Sequence, residues 1–101
     1  MNEFFEDLGR RWVAAAGRRH VRIDAPSLEP RVALELLELA RVAAHTRERR
    51  FAPLSCFLAG VAAERLRAAE PGLDDTAVAA FVEEVRRELE AEAPPAAPSE
   101  R

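Results

Sequence analysis

The residues best placed to do chemistry lie between Arg41 and Ser55. Arg41 and His45 stand four positions apart, so on a helix they share one face. Arg47, Arg49 and Arg50 follow at once. Pro53 then opens a further helical segment, which would present free N–H groups at Leu54, Ser55 and Cys56. A helix start beside several guanidinium groups is a site for a phosphate or carboxylate, with the Ser55 hydroxyl as an added donor. The same residues permit a reading without a ligand. Cations at the end of one helix complement its dipole, and Glu48 can pair with a neighbouring arginine.

Other candidates are thinner. His45 could act as a general base, but no nucleophile stands beside it at a fixed spacing. Cys56, near a helix start, could have a lowered pKa or be a packed structural thiol. As the only cysteine it has no redox partner within the chain. His20, the second histidine, sits in a basic connector and reads as a surface residue. One cysteine and two distant histidines do not make a zinc set, and there is no glycine-rich phosphate loop. The carboxylate pairs Glu35/Glu38 and Glu84/Glu88 read as solvated faces. No catalytic motif, metal site or bound cofactor is expected. Phe4, Phe5 and Trp12 are candidates for a partner-binding stripe, or else they close the core.

These residues are carried by a chain of 101 residues, enough for one domain. The net charge is −3, and all 15 basic residues are arginine. Residues 1–50 hold ten arginines against eight acids (+2), and residues 51–101 hold five against ten (−5). This balance disfavours nucleic acid as a partner, because phosphate contacts need a cationic face. There is no apolar run long enough to span a bilayer and no signal peptide, so a cytoplasmic location without membrane contact is expected. The hydrophobic fraction is 49% and much of it is alanine. Such small side chains favour close helix packing or burial against a protein partner or a second copy.

Four helical segments are expected, in a compact antiparallel all-α bundle occupying residues 1–90, with a disordered Ala/Pro/Glu tail over 91–101. The first runs from about Asn2, a candidate N-cap, to Ala16, with Gly17 as its stop. The second starts from an N-cap at Ser27 and runs to about His45. Its apolar residues cover most of the circumference, which marks a central helix. The third begins around Pro53 and ends before Pro71-Gly72, and its mid-helix Gly60 suggests close approach of another backbone. The fourth is capped by Asp74 or Asp75 and carries the stripe Val78, Phe81, Val82, Val85 and Leu89.

The run from Leu39 to Gly60, LARVAAHTRERRFAPLSCFLAG, resembles a small bacterial family of unknown function. That family shows a recurring Leu-Ala-Arg, Ala-His, Glu-Arg, Ala-Pro-Leu-Thr, Phe-Leu, Gly pattern. Arg41, His45, Glu48, Arg49, Ala52, Pro53, Leu54, Phe57 and Gly60 match, and Ser55 stands for the threonine. Val42 stands where the family often has aspartate, and Arg50 where it often has proline. Members occur alone or fused to molybdenum cofactor guanylyltransferase.

The resemblance implies a non-catalytic accessory or interaction domain. It would serve molybdenum cofactor maturation or the assembly of a molybdoenzyme such as formate dehydrogenase. The residues leave two alternatives open. One is a small anion, nucleotide or pterin-phosphate site formed by Arg41, His45, Arg47, Arg49, Arg50 and Ser55. The other is a DNA-binding helical domain using the basic half, which the negative net charge disfavours.

Overall fold

The structure is a computed structural model and describes residues 3–92. It contains four helices, α1 (Glu3–Arg18), α2 (Pro30–Thr46), α3 (Phe51–Ala69) and α4 (Asp75–Glu92), and no strand among the described residues. The expected all-α class and four-helix architecture hold. The chain divides into two compact units, Met1–Pro30 and Arg31–Arg101.

In the first unit α1 continues through Gly17, the expected stop, and ends only at Arg18. The stop is His20, which takes a left-handed backbone at φ 62°. Its N–H donates to the Gly17 carbonyl at 2.9 Å, and the Val21 N–H reaches back to the Ala16 carbonyl at 2.9 Å. This pair of bonds is a Schellman closure, which satisfies carbonyls that the helix end leaves orphaned. Glycine is the usual residue at that position; here a histidine occupies it. The expected Asn2 cap lies outside the described residues.

The connector after α1 returns along the helix. Gly9 is buried, and a Cβ built on it would lie 2.7 Å from the Pro26 carbonyl oxygen. Only a residue without a side chain allows the backbone of the connector this close. Ser27 does not cap α2, which begins three residues later at Pro30. Proline at the first helical position loses nothing, since its missing N–H would have had no partner there.

In the second unit, consecutive helices run antiparallel. Glu35 and Arg41 of α2 bond to Arg86 and Glu90 of α4 respectively, which makes those two helices parallel. Arg67 near the end of α3 meets Asp75 at the start of α4 at 2.8 Å. The Asp74 carboxylate caps α4 by accepting the Ala77 N–H at 2.9 Å, as its position three residues upstream requires. The buried side chains are Leu39, Val42 and Ala43 from α2, Ala63 from α3, and Val78, Ala79 and Val82 from α4. The expected central role of α2 is thus shared with α4. Gly60 is exposed and a Cβ there would meet nothing within 4 Å, so the expected backbone approach at this glycine does not occur. The α4 helix runs on through Ala91 and Glu92, two residues into the expected tail; residues 93–101 lie outside the described residues.

Candidate functional site

The segment singled out in the sequence is assembled from the last turn of α2, the link after it, and the first turn of α3. Arg41 and His45 are both exposed on α2. Arg41 is already engaged: its guanidinium donates to Glu38 at 3.0 Å and to Glu90 at 3.2 Å. The hydrogen bonds to Glu38 and then to Glu90 push its pKa further above the usual arginine value. Arg50 donates to Glu48 at 2.8 Å, the local pairing anticipated for Glu48. Among the described residues no carboxylate pairs with Arg47 or Arg49, and both are exposed.

The helix start does not offer the free donors expected of it. The α3 helix begins at Phe51, two residues before Pro53. The Phe51 N–H donates to the Glu48 carbonyl at 2.9 Å and the Ala52 N–H to the Arg49 carbonyl at 3.1 Å. Proline at position 53 has no N–H. Leu54, Ser55 and Cys56 are then deep enough in the helix for their N–H groups to join its own ladder. The link between α2 and α3 consumes the donors that an anion would have used.

The Ser55 side chain belongs to a different surface. It lines a groove of about 260 Å³ between α3 and α4, with Leu58 and Ala62 on one wall, Phe81 and Leu89 on the other, and Leu39 beneath. Cys56 faces α2, where its thiol donates to the Leu36 carbonyl at 3.5 Å. Burial pushes the Cys56 pKa up. The thiol is therefore structural, and the lowering that a helix start could give is absent.

Across α2 and α4 runs a charge network that sequence spacing could not disclose. Arg86 is only 14% exposed; it donates to Glu90 at 3.0 Å and to Glu35, itself 19% exposed, at 3.3 Å. Glu90 in turn accepts from Arg41, so five charged residues from Glu35 to Glu90 are linked across two helices. The Arg86 and Arg41 guanidinium groups hold the Glu90 carboxyl below its ordinary range. The Arg86 Nε is buried without a hydrogen-bond partner among the described residues. The separations of 49 and 51 residues explain why local patterning missed these bonds. The network clamps α2 to α4 and leaves Arg41 committed to carboxylates.

Of the aromatic stripe, Phe4 and Trp12 are exposed and Phe5 sits at the margin of exposure. The Phe4 and Phe5 rings meet edge to face with centroids 5.0 Å apart. Phe5 and Trp12 also line a shallow depression of about 140 Å³ closed by Pro26 and Leu28 of the connector. The larger apolar exposure lies on α2 and α3. Leu34, Leu37, Leu54, Phe57 and Leu58 are each 60–70% exposed. No group of three or more His, Cys, Asp or Glu side chains among the described residues is arranged to hold a metal ion. None of the described helices is long and apolar enough to cross a membrane.

A family model for a domain of unknown function, DUF6457, matches residues 6–98. The chain belongs to the DUF6457 family. Neither the curated proteins nor the solved structures gave a match. In this DUF6457 domain, the resembling run from Leu39 to Gly60 covers the end of α2 and the first half of α3. Within that run Phe51, Leu54, Phe57 and Leu58 are exposed apolar side chains.

Proposed function

We propose that this DUF6457 domain is a non-catalytic interaction module whose α2–α3 surface is buried by a protein partner. One observation carries the reading. Five large apolar side chains on α2 and α3 stand 60–70% exposed, while among the described residues the buried core holds no aromatic residue and three of its seven members are alanine. Apolar surface left outside so small a core gains most from association. The resemblance noted for residues 39–60 suggests the partner class: a molybdenum cofactor maturation protein or a molybdoenzyme under assembly.

Calorimetric titration of the full chain with purified molybdenum cofactor guanylyltransferase and with a formate dehydrogenase maturation protein tests this. Binding that is lost in Leu37→Ser/Phe57→Ser, with helicity retained, is the expected result. Absence of binding to either protein overturns the assignment of partner class. If the chain also stays monomeric at high concentration, the interaction reading falls.

Arg47 and Arg49 support a second reading. Among the described residues they are exposed cations without a carboxylate partner, which suits a phosphate-bearing nucleotide or pterin. Titration with guanine nucleotides and a pterin phosphate separates the two readings. Affinity unchanged in Arg47→Ala/Arg49→Ala removes the second.

A further inference from the structure

This inference rests on the interaction reading and names the chemistry of the partner. We propose that the groove between α3 and α4 docks a partner helix with one apolar face and an arginine- or lysine-bearing flank.

The groove has the dimensions and composition for a helix face. Phe81, Val85 and Leu89 line its α4 wall at helical spacing. From the first to the last they span about 12 Å, roughly two turns. The α3 wall contributes Leu58 together with the small residues Ala59 and Ala62, which let a second backbone come close. Leu39 forms the floor. An amphipathic helix would place its i, i+3 or i+4, and i+7 side chains here.

The rims are unlike each other, and this decides the occupant. On α4, Glu84, Glu88 and Glu92 form one i, i+4 row, all exposed. At about 100° per residue, Glu88 and Glu84 stand roughly 20° and 60° round the helix from Phe81, on the side away from Val82 and the core. Among the described residues these three have no ion-pair partner. The neighbouring carboxylates do: Glu83 pairs with Arg87, and Glu90 with Arg86 and Arg41. By helical spacing the unpaired carboxylates of α4 fall on the outer side of Phe81, next to the groove wall, and at this spacing they repel one another. The α3 wall carries exposed Leu58 instead, with exposed Leu54 one turn before it on the same helix face. A helix seated here is held by apolar contact on one side and by cations on the other, which also sets its rotation in the groove.

The test uses the full chain and two synthetic helical peptides that share one leucine face, flanked by arginine in one and by glutamate in the other. Fluorescence anisotropy gives the affinities, and amide hydrogen exchange locates the contact. The arginine peptide should bind about tenfold or more tightly than the glutamate peptide at low salt. The preference should narrow as salt rises. Glu84→Arg/Glu88→Arg should reverse it, and Leu58→Asp should abolish binding of both. Equal binding, a preference that survives the rim reversal, or no binding of either peptide overturns the proposal. So does a concentration-dependent dimer that protects the groove and is lost in Leu58→Asp, because that assigns the groove to a second copy. If the arginine peptide fails while the Leu37/Phe57 surface still binds the maturation proteins, only the groove assignment falls.

Discussion

Gly9 faces the carbonyl of Pro26 so closely that a Cβ at position 9 would lie 2.7 Å from the oxygen. Alanine normally improves a helix interior over glycine by about 1 kcal/mol, but here the added methyl must push the connector off the helix. Gly9→Ala should therefore destabilise the protein by roughly 1–3 kcal/mol, the usual range for overpacking. Gly60→Ala should do the reverse, by about 1 kcal/mol, because that position is helical and open. Denaturant titrations of the two variants check the opposite signs. Stabilisation by Gly9→Ala would show that the connector does not hold its place against α1.

His20 ends α1 in a left-handed conformation that favours glycine. His20→Gly should raise the melting temperature, corresponding to a gain of up to about 1 kcal/mol, since the relief of strain exceeds the added freedom of the unfolded chain. Thermal unfolding followed at 222 nm measures it. A lower melting temperature would mean that the imidazole contributes more than the backbone loses.

The carboxyl of Glu90 is held below its ordinary value of 4.5, first by Arg86 and then by Arg41. A carboxylate with a depressed folded-state pKa contributes stability that is fully present above the unfolded value and is lost as pH falls through the lower folded value. Stability should thus be level above about pH 5 and decline below 4.5, with Asp7, lowered by Arg11, adding to the loss at still lower pH. Arg86→Ala should lower stability at neutral pH and flatten that acid limb, whereas Arg87→Ala, which removes a pair confined to the surface of α4, should change little. Chemical denaturation of the three proteins across pH 3–7, fitted for the slope against pH, tests the assignment. Identical slopes in all three would remove Glu90 from the account.

Cys56 donates to the Leu36 carbonyl and its pKa is raised by burial. Only the thiolate reacts, so alkylation by iodoacetamide at pH 7.5 should be slower than that of free glutathione and should accelerate on unfolding. Faster modification in the folded protein would point to an activated thiol. Cys56→Ser should be tolerated with a small loss of stability, because the hydroxyl can make the same bond to the carbonyl.

Much of the architecture was legible in the residues themselves. Apolar periodicity located four helices, and Asp74 stood where the fourth needed its cap, because capping and amphipathicity act over one or two turns. The ends were read less well. Gly17 looked like a stop, but the helix closed at His20, where two backbone hydrogen bonds outweighed the penalty for the left-handed residue. Ser27 looked like a cap, but Pro30 set the start of the second helix.

The roles of the two informative glycines were exchanged. Gly60, mid-helix, has the look of a packing site and is open, whereas Gly9 is the close approach. A glycine reveals only that a Cβ is missing; which backbone comes near it depends on how the chain returns. The same limit governs the polar residues. The amino-acid order alone placed Arg41 and His45 towards the end of α2 and the following arginines in the link after it. Only the three-dimensional arrangement decided that Arg41 would be taken up by Glu90, that the link carbonyls would use the donors at the start of α3, and that Ser55 would face an apolar groove. Those outcomes depend on contacts between residues far apart in the chain, and spacing carries no information about them.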